Sequence, residues 1–298
     1  MHQMPATTRA PHSRRPPLLK RLLLASVPVM LIALTLAGCG SSPSTGASAQ
    51  PVKLNVFAAA SLQGAFTDIG KAFSQAHSNV TVTFNFGGSD TLATQINQGA
   101  PADVFASANA TQMNNVVTPG NIAGSAVKTF AHNRLVVIYP AANPANIQSL
   151  QDLGKSGVKV VLAAKTVPVG QYALQFLDLA AADPTYGASY KTNVLKNVVS
   201  YETDVKSVLS KVALGEADAG IVYTTDAATE TGKVSTITIP DALNVIAVYP
   251  IGAVKASKQA TTAQAFIDYV LSSEGQATLA KYGFIAGSDG KQYTPPAA

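Results

Sequence analysis

The sequence predicts an α/β protein with two lobes and a cleft between them, and three observations predict it. Apolar extended runs alternate with amphipathic segments from residue 54 onward, as in crossovers that feed a parallel sheet. The alternation starts afresh at RLVVIYP (134–140), so a second α/β unit follows the first. Long extended runs near 134–140 and 243–252 stand where the chain would pass between the units. About 248 residues follow residue 50, enough for two modest cores. The division places lobe I at 52–132 and 245–298 and lobe II at 133–244.

Each element has its own signal. LNVFAAA (54–60) is an apolar strand, and the segment 62–77 carries Leu62, Phe66, Ile69 and Phe73 at helical spacing. VTVTFNF (80–86) alternates strictly and reads as a strand. DTLATQINQG (90–99) is a short helix ending at a glycine, and DVFAS (103–107) is a third strand. In the second unit, 158–164, 198–201 and 219–224 are strands, with helices at 171–181 and 204–214. LNVIAVYPIGAVK (243–255) is extended, and 261–283 is an amphipathic helix or helix pair stopped by Gly283. No internal repeat is visible.

The first 38 residues are set aside as a signal peptide. Arg9, Arg14, Arg15, Lys20 and Arg21 form a basic leader without acids, and LLLASVPVMLIALTLA (22–37) is short for a membrane span. The run ends in LAGC, Leu36 to Cys39, which resembles the lipobox of bacterial lipoproteins. That resemblance implies an acylated Cys39 and anchoring to the outer face of the cell membrane. Residues 39–51 are rich in Gly, Ser and Pro and read as a flexible tether. Cys39 is the sole cysteine, which rules out an internal disulfide.

The leader also accounts for the net charge. The chain has 21 Lys and Arg against 16 Asp and Glu, and removing the five leader cations leaves 16 against 16. One arginine, Arg134, remains in the body, which has no basic run and no tryptophan. Nucleic acid is excluded as a partner on that pattern. Catalysis also lacks its parts. The body holds two histidines in unrelated contexts, with no HExxH and no GxSxG. His77 closes a helical stretch, where a cation suits the macrodipole. His132 reads as a surface or hinge residue. Glu202 and Asp204, like Glu216 and Asp218, read as caps or solvated groups. Gly87-Gly88 is followed by no P-loop lysine. The chain is expected not to be an enzyme and to need no cofactor.

The strand-end junctions are more informative. Ser61 follows three alanines and opens one helix, and Ser89 follows Gly87-Gly88 and opens another. Val169 enters a third through Pro168, and Val205 begins a fourth after Thr203 or Asp204 as cap. Tyr223 ends a strand. Taken singly, such serines are helix caps and such a tyrosine is a core residue. Together the helix starts offer amides that bind anions without a charged side chain, and Ser61, Ser89 and Tyr223 each add a hydroxyl donor.

FAAASL, GGSDTLATQINQGAPADVFASA, VPVGQYAL, DVKSVL and GIVYTTDA closely resemble the molybdate-binding proteins of ABC importers. The likeness covers nearly all of 52–285 and ends in AKYGFI (280–285). It implies a type II periplasmic-binding-protein fold: two lobes, each a mixed, mainly parallel sheet flanked by helices, closing on a tetrahedral oxyanion. It further implies that Ser61 and Ser89 bind through hydroxyl and amide, Val169 and Val205 through their amides, and Tyr223 through its hydroxyl. The family often has alanine at the place of Val169, a change that an amide contact tolerates. The implied ligand is molybdate or tungstate, with no direct protein ligand to the metal. The implied partners are an ABC permease and its ATPase, with a monomeric receptor held at the membrane by lipid alone.

The chemistry agrees with the resemblance. Molybdate and tungstate are fully deprotonated dianions near neutral pH and need donors only, whereas a protonated phosphate also needs an acceptor. The matched positions supply donors and no carboxylate. Asp90 departs from the small polar residue common at this place, and it is expected in the first helical turn with its carboxylate turned from the ligand. A receptor for sulfate or another tetrahedral oxyanion stays open at this point. A secreted enzyme on the same fold and a non-transport surface lipoprotein are the weaker readings.

Overall fold

The structure, a computed structural model, describes residues 50–296. The basic leader, Cys39 and nearly all of the tether lie outside the described residues. The chain enters β1 (Val52–Ala59), whose Leu54, Val56 and Ala58 are fully buried. It passes through a 3-10 turn (Ala60–Leu62) into α1 (Gln63–Ala76). Leu62, Phe66, Ile69 and Phe73 are all completely buried, so the helical period in the sequence is the packing face. Phe66 lies 5.5 Å from Phe130 and 6.1 Å from Phe266, and Phe73 lies 5.3 Å from Phe266, centroid to centroid. Tilted aromatic pairs of this kind contribute about 0.5–1.5 kcal/mol each beyond the area they bury. His77 ends α1 as expected, stacked on Phe73 with Nδ1 at 3.1 Å from the Phe73 carbonyl.

Two sheets follow. The first joins β1 to β2 (Val80–Gly87), β3 (Val104–Ala106), β4 (Lys128–Asn133), β10 (Ala247–Ala253) and β11 (Ile285–Ala286) in the order β11-β4-β10-β3-β1-β2. The second contains β5 (Leu135–Pro140), β6 (Val160–Ala163), β7 (Val198–Glu202), β8 (Ala219–Tyr223) and β9 (Val234–Thr238) in the order β7-β6-β8-β5-β9. Helices α2 (Ser89–Asn97), α3 (Ala110–Val117), α8 (Ala260–Leu271) and α9 (Ser273–Lys281) accompany the first. Helices α4 (Pro168–Ala182), α5 (Tyr190–Lys196), α6 (Val205–Ala213) and α7 (Thr224–Ala227) accompany the second.

The sheets are more mixed than the alternation predicts. Parallel pairing is confined to β1 with β2 and β3, and β6 with β7 and β8. β10 runs antiparallel to β3 and β4, and β5 antiparallel to β8 and β9. These are the strands at the crossings. Only Arg134 separates β4 in one sheet from β5 in the other, and β10 brings the chain back after β9. A strand arriving from the other sheet is free of the crossover rule that keeps sequential βαβ strands parallel.

Four elements have weak sequence signals. β4 mixes polar with apolar residues, and β9 is a half-exposed edge strand. The Asn/Gln-rich α3 starts where the Asn109 side chain accepts the Gln112 N–H at 2.9 Å, and the short α5 has no side-chain cap. The extended run at 243–255 narrows to β10, with an irregular register between Tyr249 and Pro250 where proline cannot donate. The terminal helix is a pair, because Ser272 caps α9 by accepting the Gly275 N–H at 3.3 Å.

His132 needs correction. It is not at the surface but wholly buried in β4. Its Nδ1 lies 3.1 Å from the Ala286 carbonyl and its Nε2 2.9 Å from the Lys291 carbonyl, because the C-terminal segment folds over it.

The sheets meet with specific contacts across the cleft. Asn109 Nδ2 donates to Gln171 Oε1 at 2.8 Å, and Gln112 Nε2 donates to the Thr166 carbonyl at 2.7 Å. A Cβ on Gly88 would overlap the Thr203 carbonyl oxygen, so the loop after β2 approaches the other side closely because it is glycine. Gly170 is as tightly placed, since a Cβ there would overlap the carbonyls of Ala163 and Ala164 at the end of β6. That fit seats the first turn of α4 against the strand end.

One buried pair fixes the start of α6. Asp226, in α7, is fully buried, and Lys206 Nζ lies 2.9 Å from its Oδ1. Neither carboxylate oxygen has a well-aligned hydrogen bond among the described residues. Burial raises the Asp226 pKa, and Lys206 opposes the shift. Without the lysine the carboxyl would rise further above its unfolded value, so its stabilising contribution would persist at low pH and be lost as pH rises. Lys206→Ala is therefore expected to destabilise the protein by about 3 kcal/mol near neutral pH, as for other broken buried pairs. In urea unfolding the deficit should be larger at pH 8 than at pH 5, and the reverse slope would contradict this account.

Candidate functional site

Five strand ends and helix starts, joined by Ala108 beyond β3, converge on one small cavity. Its walls are the Ala59–Ser61 turn after β1, Gly87–Ser89 after β2, Val167–Val169 at the start of α4, Asp204–Val205 at the start of α6, and Tyr223 at the end of β8. Ser61, Ser89, Val169, Val205 and Tyr223 are thus brought together. Ala59 and Ala60 also line the cavity, so small side chains leave the backbone open to it.

The amides of the wall precede the first hydrogen bonds of their helices. Those first bonds run from Leu92 N–H to Gly88 at 3.0 Å, from Gln171 to Val167 at 2.9 Å, and from Val208 to Asp204 at 3.4 Å. Ser89, Val169 and Val205 lie ahead of them and have no intrahelical acceptor. The Gln63 N–H bonds to the Ala60 carbonyl, which leaves Ser61 in the same position at the start of α1. Each helix also aligns its positive dipole end with the cavity edge.

The hydroxyls are not spent as caps. Ser61 Oγ is 3.0 Å from the hydroxyl of Tyr249 and bonds to no first-turn amide of its own helix. Ser89 Oγ accepts the Ala108 N–H at 3.1 Å, which leaves its own proton to donate. The Tyr223 hydroxyl is buried and without a partner among the described residues. Burial first, and the neighbouring Tyr249 and Tyr172 hydroxyls second, push its ionisation well above the ordinary phenol range. It is therefore a neutral O–H donor across the whole physiological range.

One carboxylate does reach the wall. Asp204 caps α6, its Oδ1 accepting the Ser207 N–H at 2.9 Å and its Oδ2 the Ser207 hydroxyl at 3.0 Å. Its lone pairs are thus turned onto the helix start. No cationic side chain lines the cavity, and Arg134 pairs instead with Asp241 at the surface. Asp90 lies in the first turn of α2 and outside the cavity wall. It borders a polar groove, with one oxygen buried and without a partner among the described residues.

Sequence reasoning missed Ala108, Tyr249 and Asn133. Ala108 contributes through its backbone N–H, which no residue type advertises. Tyr249 and Asn133 sit in or beside crossing strands, where apolar alternation hides a polar tip. Among the described residues no group of three or more His, Cys, Asp or Glu could hold a metal ion. Nor is any described helix long and apolar enough to cross a membrane.

The sequence pattern of the bacterial extracellular solute-binding proteins matches residues 54–285. The molybdate-binding protein ModA of Mycobacterium tuberculosis is 40% identical over 262 residues, covering 87% of this chain and 95% of that protein. A putative ABC transporter substrate-binding lipoprotein of Bacillus subtilis, YvgL, is 34% identical over 254 residues, covering 85% and 94%. Among solved structures, the substrate-binding domain of a putative molybdenum ABC transporter from Clostridium difficile superposes with a TM-score of 0.58 at 32% identity. It covers 79% of this chain and 99% of that one. With the fold, the cavity and these likenesses in agreement, the chain belongs to the bacterial extracellular solute-binding protein family.

Proposed function

We propose that this protein binds molybdate outside the cytoplasm and hands it to the permease and ATPase of an ABC importer. It acts by binding, with no chemical step. The observation that carries the reading is the convergence of Ser61, Ser89, Val169, Val205 and Tyr223 on one small cavity without a cationic side chain. An anion held there is neutralised by dipoles, without the desolvation that a buried lysine would bring. Each charge-assisted hydrogen bond contributes about 1.5–3 kcal/mol. A handful of them, with the lobes closed, supports sub-micromolar binding.

Tungstate, with the same charge and shape, is included in the proposal. Lobe I is taken as 52–132 with 245–298 and lobe II as 133–244, with the anion between them. A lipid on Cys39 would keep the receptor at the membrane surface, with residues 39–51 as tether. The LAGC sequence supports that part, and a single chain encloses the whole cavity, which supports action as a monomer.

Titration of the protein lacking its leader, followed by calorimetry and thermal shift, tests the reading. Molybdate and tungstate should each stabilise it, by about 4 kcal/mol at a thousandfold excess over Kd, while sulfate and phosphate should not. Stabilisation by sulfate alone would transfer the assignment to a sulfate receptor, and no shift with any anion would end it. The pair Ser61→Ala with Tyr223→Phe should abolish most of the shift, since it removes two donors at about 1.5–3 kcal/mol each. Gly88→Ala should weaken molybdate binding at least tenfold by holding the cleft open against Thr203, with little change in the melting temperature of the empty protein. Equal affinity in that variant would mean that closure does not pass through this contact.

A further inference from the structure

The Ser61 hydroxyl can either donate to the cavity or accept from it, and a chain of hydrogen bonds behind it decides which. Asn133 is the start of that chain. Its Oδ1 accepts the Arg134 backbone N–H at 2.9 Å. A backbone N–H only donates, so this contact fixes which end of the amide is oxygen. The Thr224 hydroxyl donates to the same oxygen at 3.2 Å. Nδ2 must therefore face the other way, where it donates to Thr225 Oγ1 at 2.8 Å and to the Tyr249 hydroxyl at 3.5 Å.

Tyr249 passes the polarity on. It is fully buried, lies outside the cavity wall, and has Ser61 Oγ at 3.0 Å as its remaining partner. A phenol that receives an N–H from Asn133 places its own proton on Ser61 Oγ. The serine proton is then directed into the cavity. Were the serine to donate to Tyr249 instead, its lone pairs would face the cavity and the Tyr249 proton would be left with the Tyr223 hydroxyl, which is near but forms no well-aligned bond with it. Burial also drives the Tyr249 pKa far up, so the proton stays on the phenol. Ser89 is polarised in the same sense by the Ala108 N–H, and Tyr223 has no competing acceptor.

We propose that Tyr249 is a positioning residue that, through Asn133 on one side and Ser61 on the other, keeps the cavity a set of donors and so selects against anions that carry a proton. Hydrogenphosphate brings an O–H that needs an acceptor, and this arrangement turns the Ser61 lone pairs away from it. The inference rests on the molybdate reading of the same cavity.

Tyr249→Phe tests it without disturbing the ring. The aromatic ring packs edge-on against Phe130, Tyr223 and Phe284 at 6.1, 5.8 and 5.5 Å, contacts that phenylalanine retains. Dissociation constants for molybdate and for phosphate at pH 7.5 would be measured by calorimetry in the wild type, Y249F, S61A and the double variant. The expected result is a fall of about tenfold in the preference for molybdate over phosphate in Y249F, the size of one reoriented hydrogen bond, with the fold kept and a modest fall in melting temperature from the lost buried hydroxyl. In the S61A background the same substitution should leave the preference unchanged, because Tyr249 acts through that hydroxyl. An unchanged preference in Y249F, or an equal fall with and without Ser61, would overturn the inference while leaving the site intact. Failure of the wild type to bind molybdate would instead overturn the site reading and this inference with it.

Discussion

A helix start buried at the end of a strand leaves amide protons that its own backbone cannot satisfy. Here that happens around one small cavity, at the starts of α1, α2, α4 and α6. Much else in the structure serves this arrangement. Gly170 allows α4 to sit on the end of β6, Gly88 allows the two sides to touch, and the Lys206–Asp226 pair fixes the first turn of α6. The unmet donors are a cost unless an acceptor from outside the chain meets them, which is the part the proposed anion would play. Ligand affinity and conformational stability are accordingly linked through the same groups.

Neutrality follows from the same constraint. A site built from dipoles can hold a dianion without burying a cation, and the body has very few arginines to bury. Its single arginine is used at the surface against Asp241. Asp204 shows how an acid is tolerated at the wall: Ser207 takes both of its oxygens. Orientation then matters as much as composition. A hydroxyl is ambivalent: the Ala108 N–H leaves the Ser89 proton free for the cavity, Tyr249 stands behind Ser61, and Tyr223 has no partner among the described residues.

Much of the candidate site was legible in the sequence because its residues occur at strand-to-helix junctions, where small residues, glycines and caps are local signals. Ser61, Ser89, Val169, Val205 and Tyr223 all lie at such points. The groups behind them were not legible. Ala108 acts through its backbone, and Asn133 and Tyr249 are 116 positions apart in the chain. No local pattern relates them. His132 was misjudged for a similar reason, since the segment that buries it comes more than 150 positions later.

The sequence by itself determined the alternation of strands and helices, the apolar faces and the identity of the junction residues, because these depend on periods and turns within a few residues. Tertiary structure decided the strand order, the antiparallel entries of β5 and β10, and the meeting of the junctions at one cavity. It also decided which groups stand behind the Ser61 and Ser89 hydroxyls. Those features depend on contacts between residues far apart in the chain, and a hydrogen bond has a direction only when both partners are in place.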